Sequence, residues 1–152
     1  MKLKPLLISL ICLVFSLATY TFTASADSDL DFALSELNAA ARLDFGSYKA
    51  DIGLRYNLSE SKVDYWYVSL KMQPSDIFMA AEISILCGKP IDSVVTIYQT
   101  HKSRGWGYIA QQLGIKPGSA EFKELKNKAN GFSGKLKNKN KDNNHNNKHK
   151  KK

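Results

Sequence analysis

The stretch PSDIFMAAEISILCGKP, residues 74–90, decides how the chain is read. Ser75 or Asp76 is suited to cap a helix over Ile77 to Leu86, because a short side-chain oxygen accepts from the free amides of a first turn. Within that helix Ile77, Ala80, Ala81 and Ile85 share one face, and Phe78, Ile83 and Leu86 widen it until few polar positions remain. A helix apolar almost all round belongs at the centre of a bundle. Gly88 fits the left-handed position just past the helix end, and Pro90 fits the first turn of a following helix, where its missing amide costs nothing. Glu82 is the exception on this helix: a wet position, a partner for a lysine, or an acid–base group.

Outward from this centre the periodicity stays helical from Asp27 to Asn130, and no segment alternates with period two between hairpin turns. Leu30, Ala33, Leu34, Leu37, Ala40 and Ala41 form one stripe, with Asp27, Asp29 and Asp31 at the end where the helix dipole favours negative charge. Phe45, Tyr48, Ile52 and Tyr56 form a second, weakened by Gly46 and Gly53, each costing about 1 kcal/mol against alanine. Ser61, with Asp64 three residues on, predicts a third helix carrying Val63, Trp66, Tyr67 and Leu70, which Pro74 stops. Ile91, Val94, Val95 and Tyr98 predict a fifth helix after the central one. Two short helices then flank the turn Lys116-Pro117-Gly118, with Gly114 as the stop of the first, Ser119 as the cap of the second, and Phe122 and Leu125 packing it back. The fold class expected is all-α: a small orthogonal bundle of five to six short helices over 27–130, ending in a helix-turn-helix-like pair.

Ahead of the bundle, Lys2 and Lys4 precede the apolar run Leu6 to Leu17, and Ala24-Ser25-Ala26 places small residues where signal peptidase reads them. Residues 1–26 are therefore expected to be a secretory signal peptide cleaved before Asp27, leaving no transmembrane segment and a periplasmic or secreted protein. Cys12 leaves with it, and it does not fit a lipoprotein site because Ile11 precedes it. Cys87 is then alone, so no internal disulfide forms, and burial as a small hydrophobe is the expectation.

The segment from Gly105 to Ile115 has the small alanine (Ala110) and turn glycine (Gly114) of a helix-turn-helix, but the spacing departs from it. Positions six and nine after Gly114 are Ala120 and Lys123, whereas the apolar pair is Phe122 and Leu125. The second helix also mixes Glu121 and Glu124 with Lys123 and Lys126, a face that repels phosphate about as much as it attracts it. A degenerate helix-turn-helix nucleic-acid binder is the second alternative. Gly105-Trp106-Gly107, Ile109-Ala110, Leu113-Gly114-Ile115-Lys116-Pro117-Gly118-Ser119, Glu121-Phe122 and Leu125-Lys126 together resemble a motif of a family of short exported bacterial proteins of unassigned function. The resemblance implies an export address and a helical fold, and brings no activity, cofactor or catalytic residue. Trp106 between two glycines is either a core anchor or, with Tyr108, His101 and Arg104, a platform for a sugar, peptide or base.

Charge is distributed unevenly. Of a net +8, Asp27 to Gly134 carries 12 basic and 13 acidic residues, while Lys135 to Lys152 carries 8 lysines and one Asp. The bundle is thus near neutral and is not itself a basic nucleic-acid surface. From Gly131 onward the chain is rich in Lys and Asn, with Phe132 and Leu136 as its large apolar side chains, and residues 131–152 are expected to be a disordered tail. Lys135, Lys137, Lys139, Lys141, Lys148, Lys150, Lys151 and Lys152 would bind lipopolysaccharide, acidic polysaccharide or extracellular DNA by non-specific charge. His145 and His149 are weak metal candidates, two ligands among repelling lysines. His101 at the end of the fifth helix suits the helix dipole, and no motif for a phosphate loop, a nucleophile or a zinc site is present in the sequence. The expected protein is non-enzymatic, without cofactor, its tail adhering to anionic envelope or matrix polymers; a specific binding module at Trp106 is the first alternative.

Overall fold

The computed structural model describes residues 24–149, and the side chains of residues 28–142. Helix α1 (Ala24–Leu43) presents Leu30, Ala33, Leu34, Leu37, Ala40 and Ala41 inward, all buried as the stripe requires. Its first residue lies three positions ahead of the expected cleavage point; the remainder of the expected signal, with Cys12, lies outside the described residues.

Asp44 starts α2 (Phe45–Tyr56) by accepting from the Ser47 amide at 2.9 Å, and Tyr48 and Ile52 are its buried residues. Gly53 is needed for space: a Cβ there would stand 2.9 Å from the Leu58 carbonyl oxygen, where the chain folds back after Asn57. The next helix, α3 (Glu60–Asp64), is capped by Ser59 rather than Ser61, and the chain then widens into one π-helical turn over Tyr65–Ser69. That turn keeps Val63 and Trp66 buried and Tyr67 and Leu70 against the core, so the expected stripe survives a change of helix type.

Central helix α4 (Pro74–Cys87) starts earlier than its apolar run suggests. Gln73 is its cap, Pro74 occupies the first turn, and Asp76 reaches back to accept from the Gln73 amide at 2.7 Å. Every residue from Pro74 to Ile83 is buried, as befits the centre of the bundle. Cys87, at the far end, is half-buried rather than enclosed. Gly88 takes the left-handed conformation expected of it (φ 63°), and Pro90 precedes α5 (Ile91–His101). A 3₁₀ turn (Lys102–Arg104) leads into α6 (Gly105–Gln112), which packs on α5.

The last helix, α7 (Ala120–His149), carries helical packing past residue 131, where the tail was expected to begin. It runs on through Gly131 and Gly134 and packs along α1 and against α4. Phe122, Leu125, Ala129, Phe132 and Leu136 are all buried, and their spacings of three and four residues make one continuous apolar stripe. Two large side chains suffice when they extend a stripe already docked: Phe132 stacks on Phe78 of α4 with centroids 5.3 Å apart. The pairs Asp29 with Lys126, Glu36 with Lys137, and the Ala40 carbonyl with Asn140 climb together, so α1 and α7 run in the same direction. The described residues are all-α, without a strand.

Candidate functional site

Of the four residues proposed as a ligand platform, the structure gathers three at the surface and removes the fourth. Trp106 is 5% exposed. Its ring stacks on Tyr98 with centroids 4.8 Å apart, and its Nε1–H donates to Asp76 Oδ1 at 2.9 Å. Tyr98 donates its hydroxyl to Asp76 Oδ2 at 2.7 Å, the oxygen that also accepts from the Gln73 amide. Trp106 is therefore a core anchor that ties α6 to the start of α4, the structural one of the two readings its sequence left open. Burial, and then the bond to Asp76, hold the Tyr98 phenol well above its ordinary pKa.

Outside this junction, Arg104 lies over the Tyr108 ring, 4.3 Å from guanidinium carbon to centroid, and the His101 ring meets the same ring edge-on at 5.6 Å. Arg104 is exposed, and a guanidinium resting on an aromatic ring keeps N–H donors to offer an oxyanion. Lys102 and Arg104 are exposed, and neither forms an ion pair with a described residue. This turn is a small cationic surface whose positive charge the fold does not neutralise.

Glu82 resolves as a partner for lysine. Its Oε1 accepts from the Tyr56 hydroxyl at 2.5 Å, and its Oε2 meets Lys128 Nζ at 2.8 Å; Lys128 also pairs with Glu124. Burial pulls the Lys128 pKa down, and the two carboxylates outweigh it, leaving it raised. Burial and the Glu82 bond push the Tyr56 phenol well up. Both carboxylate oxygens are engaged, and the arrangement fastens α2, α4 and α7 together.

The C-terminal lysines divide into two sets. Lys135 and Lys139 each stand 3.5 Å from Asp51, one at each oxygen, and Lys137 pairs with Glu36. Asp51 Oδ2 is buried and accepts no hydrogen bond, so its pairing with Lys135 is charge contact alone. These three, expected in a free tail, are held on the bundle. Lys141 is exposed and forms no ion pair with a described residue. The side chains of His145, Lys148 and His149, and residues Lys150, Lys151 and Lys152, lie outside the described set. Neutralising acids are spaced along α1 and α2, and sequence reading missed them; the recurrence of Asp29 and Glu36 seven residues apart was the available signal.

A further feature has no signal in the sequence. The π-helical turn, closed by the Leu70 amide on the Tyr65 carbonyl at 3.2 Å, leaves a shallow depression of about 310 Å³ lined by Tyr67, Val68, Lys71, Met72 and Gln73. Lys71 beside it sits in the left-handed region (φ 56°). Among the described residues no group of three His, Cys, Asp or Glu is placed to hold a metal ion, and no helix is long and apolar enough to cross a membrane. Comparison with family models, with curated proteins and with solved structures finds no match to this chain.

Proposed function

We propose that this is an exported, non-enzymatic helical protein that adheres to anionic envelope or matrix polymers through the positive charge its own acids leave unneutralised. The observation that carries the reading is the partition of lysines along α7. Lys126, Lys128, Lys135, Lys137 and Lys139 each meet a carboxylate of the chain, whereas residues 141–152 carry Lys141, Lys148, Lys150, Lys151 and Lys152 against Asp142 alone. The adhesive segment is thus shorter than composition suggests, five lysines rather than eight. A polymer bearing phosphates, sulfates or carboxylates is bound by such a segment through release of its condensed counterions. Lys102 and Arg104 supply a second, fixed point of contact for the same polymer. Export rests on the amino-terminal pattern, Lys2 and Lys4 before the apolar run and Ala24-Ser25-Ala26 after it.

Deleting residues 141–152 removes no described buried side chain and no described ion pair, so the bundle should keep its melting transition and lose only the helicity of the end of α7. Retention on immobilised heparin at low salt should fall sharply, and adding K102A and R104A should abolish what remains. Retention unchanged in the combined variant would overturn the reading. Amino-terminal sequencing of the protein recovered outside the cytoplasm should begin at Asp27.

A specific binding module centred on Trp106 loses its platform, since the indole is enclosed. A recognition helix in the first half of α7 is disfavoured for a related reason: Phe122 and Leu125 face inward, and Lys126 and Lys128 are engaged with Asp29 and Glu82.

A further inference from the structure

The lysines that bind polymer follow in sequence directly on those that hold α7, and the boundary between them is set by packing. Leu136 is the last apolar residue of α7 that the core encloses, 1% exposed. After it the sequence is KNKNKDNNHNNKHKKK, residues 137–152, without an apolar side chain. Among the described residues, what holds this stretch to α1 and α2 is the Lys137 pair with Glu36, the Lys139 pair with Asp51, and the Asn140 amide donating to the Ala40 carbonyl at 3.0 Å. Asparagine is a poor helix former, and ion pairs whose lysines stay 40 to 43% exposed contribute roughly 0 to 1 kcal/mol each. Upstream, Phe132 and Leu136 are secured by burial, which competing ions do not weaken in the same way.

We infer that a bound polyanion strips α7 from its acids back to Leu136, so that Glu36 and Asp51 act as an internal competitor for the polymer. This rests on the polyanion reading above and assigns that site its regulation. In the closed form Lys137 and Lys139 are spent on Glu36 and Asp51; in the open form they join Lys141, Lys148, Lys150, Lys151 and Lys152 on the polymer, seven lysines instead of five. The polymer must be dense enough in charge to outcompete two carboxylates. A dilute or sparsely charged one binds the five outer lysines and leaves the helix in place. Lys135, the residue just before Leu136 and so upstream of the boundary, stays with Asp51.

The test uses the full chain and a 30-base-pair DNA duplex as a polyanion of known charge spacing. Each lysine engaged with phosphate adds about −0.9 to the slope of log affinity against log salt, so in a K102A/R104A background, which removes the second contact point, opening predicts a slope near −6 and a closed helix one near −4.5. The variant K137A/K139A should therefore lose about 2 from the slope; no loss would overturn the inference. Removing the competitor gives the opposite sign. E36Q/D51N should bind the duplex about three- to tenfold more tightly than E60Q/D92N, which changes net charge equally at acids paired with Lys49 and Lys62. Equal affinity of the two double variants would count against competition. Amide hydrogen exchange over residues 137–149 should speed up when duplex is added to the wild-type chain, whereas slowing would mean the polymer merely covers an intact helix. Failure of the underlying reading looks different: deleting residues 141–152 would then leave the slope unchanged.

Discussion

Asp76 and Asp51 are both largely enclosed carboxylates at helix junctions, and the fold satisfies them in opposite ways. Asp76 is met by a backbone amide, a phenol and an indole, all neutral, all rooted in packed helices, at 2.7 to 2.9 Å. Asp51 is met by two lysines at 3.5 Å, with one oxygen accepting no hydrogen bond. Short directional bonds from buried donors fix one geometry, because leaving any of them unmade strands a desolvated group. Lysines reaching in from solvent give contacts that salt and other anions exchange. The same residue type thus makes a permanent joint at one end of the bundle and a removable one along α7.

Breaking the permanent joint should give the largest effect. Asp76→Ala leaves the Tyr98 hydroxyl, the Trp106 Nε1–H and the Gln73 amide without their acceptor, at about 1 to 3 kcal/mol for each buried donor. A loss of about 4 kcal/mol in urea unfolding, followed by circular dichroism because Trp66 confuses the fluorescence, is expected. A loss under 1 kcal/mol would mean the junction is incidental.

Within α7, Leu136→Ala should cost about 3 kcal/mol by cavity formation, since the side chain is fully enclosed among α7's neighbours. This variant locates the boundary between the packed and the ionic portions of the helix. If Leu136→Ala cost no more than a surface change, the packed portion would end at Phe132 and the removable segment would be a turn longer.

Sequence legibility follows the same division. The stripes of α1 and α4 were readable because burial repeats at helical spacing, and Gly88, Gly114 and Ser119 were readable because a local backbone need selects them. Composition misled from residue 131 onward. Lys and Asn outnumber everything else there, yet Ala129, Phe132 and Leu136 continue the spacing of Phe122 and Leu125, and spacing outweighs abundance once a helix is already docked. Trp106 was open to two readings because its partner, Asp76, lies 30 residues away and no local pattern links them. The lysine partners of Asp51 and Glu36 were hidden for that reason too: they are 84 to 101 positions distant, a separation that the docking of α7 beside α1 and α2 closes. The π turn over Tyr65–Ser69 has no residue preference that distinguishes it from ordinary helix.

Raising the pH probes the permanent contacts from another direction. Tyr48, Tyr56 and Tyr98 all have phenol pKa values above their ordinary 10.0, chiefly through burial. Their protonated forms are favoured in the folded state, so their contribution is fully present below pH 10 and is lost as pH rises beyond it, when the unfolded chain ionises and the folded one does not. Stability should be level across neutral pH and fall steeply above pH 10, each phenol contributing up to about 1.4 kcal/mol per pH unit. Tyr56→Phe should lower stability at pH 7 through its lost bond to Glu82, yet make the alkaline fall shallower by about that amount. An unchanged alkaline slope would show that Tyr56 ionises as freely in the fold as in the open chain.

The smallest effect belongs to the removable joint, and its smallness is what distinguishes the two. Lys139 is 40% exposed along its side chain and stands 3.5 Å from Asp51, at the limit of a hydrogen bond. Its deletion to alanine exchanges a screened attraction for better helix propensity, two terms of a few tenths of a kcal/mol and opposite sign. Lys139→Ala should therefore shift stability by less than about 0.5 kcal/mol in either direction. Gly134→Ala provides the scale, because a Cβ there meets nothing within 4 Å and the substitution should stabilise the helix by about 0.5 to 1 kcal/mol. If Lys139→Ala instead cost 2 kcal/mol or more, the Asp51 contact would be a desolvated pair like that at Glu82, and the ionic portion of α7 would be as permanent as the junction at Asp76.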